Sequence, residues 1–322
     1  MNSIAIIDSG IDTNFKEFRN KNIKYFNINT YENSIKSVKD FSGHGTACAA
    51  EILRQNPKVS INVIKVLNEN SQSSIKKIIE SIEYASEMQD VKIISLSCST
   101  FQNKYLEDFR HVINYANEKD KLLVCSSDNK NKVSYPSYLD GVIGVQRCIA
   151  NINKYWFDKN AVIECVCKAE YRLLPSINKN YKLFGGNSYC TAHFCGLVSR
   201  FLKNNFRMEN KDLIDIITKN ADRKKWSIED LNLKKPLKIE YSNRKYDYFK
   251  LKILSDSIKK FKLIENKNIE TKPIYSLVGI DNIYFFLKYL ENKLSQNIIY
   301  NEVTNENLIS IYSLYNFIFK DE

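Results

Sequence analysis

The sequence predicts an α/β protein: a doubly wound, mostly parallel sheet with a small C-terminal helical domain. Three observations carry this. Short β-branched runs recur at 4–7, 61–67, 91–97, 121–127 and 141–145. Longer amphipathic patterns, SSIKKIIESIEYASEM (73–88) and YLEDFRHVINYANE (105–118), lie between them. The chain is 322 residues long, 43% hydrophobic and 12% aromatic, which suffices for a large core with an appendage and excludes disorder. Near-continuous apolar strands alternating with helices indicate a parallel sheet covered on both faces.

Taken in order, IAII (4–7) is a strand ending in Asp8, and GHGTACAAEIL places His44 at a helix start. INVIKVL, VKIISLS, KLLVCSS and GVIGV supply further strands. From about 150 to 185 the pattern is strand-like but irregular. TAHFCGLVSRFLKNNF (191–206) is largely apolar and reads as a buried helix, and KDLIDIITKNA (211–221) as the helix that closes the domain. Residues 226–247 are charged, contain Pro236 and lack a period, which marks a linker. Three helical patterns come after it, so the expected domains are 1–225, a linker at 226–247 and a helical domain at 248–322.

Composition narrows the class. Only 9 Gly and 5 Pro exclude collagen-like or linker-dominated sequence. No apolar run approaches the roughly 20 residues of a membrane span. The start, MNSIAIIDSGID, has no basic n-region and no small-residue cleavage site, so a cytoplasmic address is expected. The eight Cys sit in apolar strand-like or helix-like contexts and read as mostly free thiols. Neither C-x-C at 165/167 nor the 190/195 pair makes a four-ligand zinc set, so no metal is assigned. The formal charge is +11, of which residues 226–322 hold 15 basic and 13 acidic side chains. The excess is spread over the chain and carries no nucleic-acid signature. An acidic peptide is the partner such a charge would favour.

Three short motifs carry chemistry. Asp8 ends the first strand, where open α/β sheets present their sites, although a strand-end Asp alone is more often a cap or turn former. His44 lies between Gly43 and Gly45, whose small size leaves its imidazole open on one side. Ser188 in FGGNSYCTAHFCG opens a buried helix, either as an N-cap or as a hydroxyl near the positive end of the helix dipole. His193 shares that motif, whereas His111 belongs to an ordinary amphipathic helix.

These segments together resemble the subtilisin-like serine proteases. DSGID is similar to that family's Asp motif, GHGTACA to its His motif and GNSYCTAHFCG to its Ser motif, in the Asp, His, Ser order known for subtilisin. INVIKVLN and LLVCSSDNK with the following YPSYLDGVIGV resemble two further family segments. The resemblance spans residues 4 to about 205. It implies that Ser188 attacks a peptide carbonyl, His44 takes and returns the proton, Asp8 orients His44, and Asn129 with the Ser188 N–H stabilises the oxyanion. It implies substrate contacts at Ser97, Cys98, Ser99, Ser127 and Asp128. Asp128 stands where most relatives have Gly, which favours a basic residue before the cleaved bond, with Lys130 near enough to offset the charge. No cofactor is implied, and calcium is left unassigned.

The expected function is a cytoplasmic serine endopeptidase acting on a peptide or protein, trimming a specific precursor as in leader-peptide removal. The alternative is a pseudoprotease that binds peptide without turnover. No nucleic-acid or membrane partner is expected. Residues 248–322 are similar to acyl and peptidyl carrier proteins, but Asp281-Asn282-Ile283 replaces the Asp-Ser-Leu attachment motif. That implies a docking module or structural cap with no phosphopantetheine.

Overall fold

The computed structural model describes residues 3–130, 132–202, 208–231, 246–261, 263 and 272–320. Most of the expected linker, including Pro236, falls outside the described residues.

An eight-stranded sheet organises residues up to 168. Its strands are β1 (Ser3–Asp8), β2 (Ile23–Asn27), β3 (Ser60–Lys65), β4 (Val91–Leu96), β5 (Leu122–Ser126), β6 (Ile143–Cys148), β7 (Trp156–Phe157) and β8 (Cys165–Lys168). The spatial order is β2-β3-β1-β4-β5-β6-β8-β7, and all pairs are parallel except β7 with β8. From β1 the chain goes out to the edge at β2, returns to β3 between them, and then crosses to the other side of β1 through β4, β5 and β6. Strand order therefore reverses between β1 and β4, the place where a doubly wound sheet opens a crevice at its carboxyl ends.

Helices cover both faces. On one side α2 (Ile75–Glu87) and α3 (Leu106–Glu118) pack Ile78, Ile82, Phe109 and Val112 onto Ile7, Ile94 and Leu123. Helix α2 starts where Ser74 Oγ accepts the Lys77 N–H at 3.2 Å, and its apolar residues recur at helical spacing. On the other side lie α1 (His44–Gln55) and α4 (Gly186–Ser199), which pack against each other. Helix α4 buries 12 of its 14 residues, as its nearly uniform apolar character predicts. Helix α5 (Asn210–Asn220) and the short α6 (Ile228–Leu231) come next.

The chain divides into two compact units. The first holds residues 1–169, 176–179 and 185–234. The second holds 235–322 together with 170–175 and 180–184. The latter two segments contain an antiparallel hairpin, β9 (Arg172–Pro175) with β10 (Tyr181–Phe184). The second unit's helices are α7 (Tyr248–Phe261), α8 (Ile274–Val278), α9 (Ile283–Leu294) and α10 (Ile311–Ile318). Its core contains Leu254, Phe286, Leu287 and Leu314, none with exposed surface. Periodicity finds α7, α9 and α10; α8 is too short to show a period. Asn282 closes a turn, its Nδ2 donating to Val278 O at 3.1 Å.

Candidate active site

Asp8 is the last residue of β1 and only 1% exposed. His44 is the first residue of α1, and Gly43 before it holds φ +83°, a left-handed turn that glycine adopts without strain. A Cβ on Gly43 would lie 2.1 Å from Ser176 Oγ, so space excludes larger residues as well.

Four side chains hold this corner. The Asp40 carboxylate accepts from Ser42 N, Gly43 N, Thr46 N and Thr46 Oγ1 at 2.7–3.0 Å. Burial opposes its charge, but the bonds from Thr46, Gly43 and Ser42 outweigh this and keep its pKa low. Ser42 Oγ donates to Ser9 Oγ at 3.0 Å, and Ser9 Oγ accepts from Gly45 N at 3.0 Å. Sequence reasoning did not single out Asp40; its spacing ahead of Gly43 and Thr46 is the available signal.

The result is a close contact between Asp8 and His44. His44 Nδ1 lies 2.8 and 2.9 Å from the two carboxylate oxygens. A carboxylate only accepts, so Nδ1 carries the proton and the neutral ring presents Nε2 as its acceptor. Burial disfavours the imidazolium, but the Asp8 charge overrides it and raises the His44 pKa well above the usual 6.5. Behind the ring, Cys48 Sγ sits 3.9 Å from Nδ1, and burial pushes its pKa up to about 11, so it remains a thiol.

Ser188 lies in the first turn of α4, where its N–H has no acceptor within the helix. Gly186 has φ +84°, and a Cβ there would come within 2.8 Å of Asn129 Oδ1. That closeness lets Asn187 N donate to Asn129 Oδ1 at 2.9 Å, which uses the acceptor end of the amide and leaves Nδ2 as its donor end. Asn187 itself has no exposed surface. Its Nδ2 donates to Ser127 O, Ser127 Oγ and Asp128 O at 2.9–3.0 Å, and its Oδ1 accepts from Arg147 N at 2.9 Å. Asn187 thus ties the ends of β5 and β6 to the start of α4.

A cleft of about 740 Å³ opens beside His44, lined by Ser97, Cys98 and Ser99 together with Leu67, Ile75 and Tyr105. Ser127 and Asp128 are not among its lining residues. Ser127 is buried in the Asn187 network, and Asp128 Oδ2 accepts the Lys130 N–H at 2.8 Å. Lys130 therefore meets Asp128 through its backbone.

The structure brings Asp8 to His44, Asn129 to the start of α4, and residues 97–99 to the cleft beside His44. Ser188 stands in the first turn of α4, the helix that packs on α1, which His44 opens. Among the described residues, Asp8, His44 and Cys48 are the one group with metal-ligand spacing.

His193 lies elsewhere. Its Nδ1 is 2.8 Å from Glu51 Oε1, whose carboxylate also accepts from Arg54 Nε and Nη2 and from Gln55 Nε2 at 2.7–2.8 Å. This buried cluster fastens α1 to α4. Burial opposes the Glu51 charge, but His193 and Arg54 bring its pKa down to about 2.

The chain is similar to known proteins. The model of the subtilase family matches residues 2–246. A thermostable alkaline protease of Halalkalibacterium halodurans is 26% identical over 215 residues, covering 61% of this chain and 55% of that protein. Subtilisin DY of Bacillus licheniformis is 24% identical over 217 residues, covering 62% and 76%. The chain thus spans about half the length of the first of these relatives. Among solved structures, a cold-adapted subtilisin-like serine proteinase has a TM-score of 0.58 at 16% identity, covering 67% of this chain and 81% of that one. Sphericase has a TM-score of 0.58 at 22% identity, covering 68% and 83%. Both share the fold.

Proposed function

The chain belongs to the subtilase family, and from that premise we propose that it is a serine endopeptidase hydrolysing peptide bonds through Asp8, His44 and Ser188. The observation that carries this reading is the 2.8 Å contact between His44 Nδ1 and the buried Asp8 carboxylate, which orients the ring and leaves Nε2 to act as a base. A serine hydroxyl needs such a base to become nucleophilic at neutral pH. Ser188 would attack the substrate carbonyl. His44 would accept the Ser188 proton and then deliver it to the leaving amine, and water activated by the same ring would release the acyl group. The negative charge that develops on the carbonyl oxygen would meet Asn129 Nδ2 and the Ser188 N–H.

The substrate is a peptide or protein lying along residues 97–99, and we assign the enzyme to selective processing of a precursor. Cys98 and Ser99 make this edge unlike the Leu-Gly of relatives. Asp128, beside Asn129, favours Lys or Arg before the cleaved bond. All eight cysteines are free, which fits a reducing, cytoplasmic compartment.

Fluorophosphonate labelling tests the chemistry: parent protein labels and Ser188→Ala does not. The rival reading, peptide binding without turnover, predicts no label in either. Unfolded casein tests selectivity, since rapid and indiscriminate degradation would count against a processing role. A scan of the residue before the cleaved bond that shows no preference for Lys or Arg would remove Asp128 from the specificity argument.

A further inference from the structure

The second unit incorporates two strands that lie, in sequence, just before the Ser188 motif. β9 pairs with β10 on one side and with residues 303–305 on the other. Leu173 N donates to Val303 O at 2.9 Å, Asn305 N to Tyr171 O at 2.8 Å, Tyr171 N to the Asn305 side-chain Oδ1 at 3.0 Å, and Arg172 Nη1 to Asn301 O at 3.0 Å. Tyr181, which opens β10, has its ring centroid 5.3 Å from Tyr284 and 5.1 Å from Tyr300. Leu173, Leu174 and Val303 have no exposed surface. The hairpin is therefore part of this unit's core.

Immediately downstream of the hairpin the chain reaches Ser188. β10 ends at Phe184, and α4 begins at Gly186, so only Gly185 separates the strand from the helix carrying Ser188. Glycines have the widest backbone freedom, so Gly185-Gly186 takes its conformation from what holds the chain on either side of it. The hairpin turn, residues 176–179, meets the other half of the site: Ser176 abuts Gly43, which precedes His44, and Asn178 N donates to Asp12 Oδ2 at 3.2 Å.

We propose that the C-terminal unit positions Ser188 by clamping the β9–β10 hairpin, and that residues 235–322 are thus required for catalysis. Arg172 and Asn305 are positioning residues in this scheme. They touch no substrate but restrain the strand that delivers the chain into the Gly186 turn, where the Asn187–Asn129 bond is made. The naming of Ser188 as nucleophile rests on the proposed function; the clamp itself does not.

The test is the double variant Arg172→Ala/Asn305→Ala in the full-length chain, read by hydrogen exchange and by fluorophosphonate labelling. Exchange should quicken at 170–184 and also at 185–190. The labelling rate should fall at least tenfold, whereas peptide affinity, measured on a Ser188→Ala background, should change less than threefold. Faster exchange at 170–184, with 185–190 protected and labelled as in the parent, would overturn the proposal. If the double variant does not fold, Asn305→Ala alone provides the same comparison. A parent protein that takes no label defeats the hydrolase reading, and the exchange data still decide the clamp.

Discussion

Asp8 and His44 form the contact that governs behaviour at the residue scale. The imidazolium of His44 is stabilised by the Asp8 carboxylate, and only the neutral ring can act as a base. Activity should therefore rise with pH through a pKa well above the usual 6.5, giving an alkaline optimum in a kcat/KM profile. Asp8→Asn removes the charge, so this limb should move to lower pH. The rate should fall by about 10⁴-fold, the magnitude known for this substitution in a triad. Stability changes in the opposite sense: the pair's contribution is fully present below about pH 6.5 and is lost as pH rises through the raised pKa. Asn129→Ala should lower kcat by about 10²- to 10³-fold, the range carried over from a subtilisin, with KM little changed.

Between helices, two buried polar groups join the halves of the site. Glu51 links α1 to α4 through His193, and Arg54 of its own helix completes the cluster. Its pKa of about 2 means that its stabilisation is present above the unfolded carboxylate range and fades as pH falls towards 2. Glu51→Ala strands the Arg54 and His193 partners and should cost about 3 kcal/mol in denaturant unfolding. Asn187→Ala leaves the buried Arg147 N–H without its acceptor and releases Ser127, so a similar loss, about 1–3 kcal/mol, is expected. Neither residue was legible as structural from sequence. Glu51 reads as one charge in a short helix and Asn187 as a neighbour of Ser188, because partners more than 100 positions away in Glu51–His193 leave no local pattern.

For the whole molecule, the formal charge of +11 predicts faster association with acidic peptides. Raising ionic strength from 0.01 to 0.15 M shortens the screening length from about 30 Å to about 8 Å. The kcat/KM for an acidic peptide should therefore fall over that range, and that for a neutral peptide should hold. Stopped-flow or initial-rate measurements at matched pH decide this. Compact units do not respect the sequence boundaries either. Periodicity divides the chain near 226, whereas tertiary contacts place 170–175 and 180–184 in the C-terminal unit, where Leu173 N bonds Val303 O and the Tyr181 ring meets Tyr284 and Tyr300.

The doubly wound class, the strands β1, β3, β4, β5 and β6, the longer helices and the Asp, His and Ser motifs were readable in the chain itself. Each is a local matter of period, strand end or short spacing, which neighbouring residues specify together. β2 escaped notice because IKYFN alternates and lies at an edge, with no continuous apolar run. The Asp40 cradle, the Asn187 junction, the Glu51 cluster and the hairpin's place in the second unit were decided only by tertiary structure. Each depends on buried polar or apolar groups meeting partners from distant segments, and a linear sequence carries no distance between them.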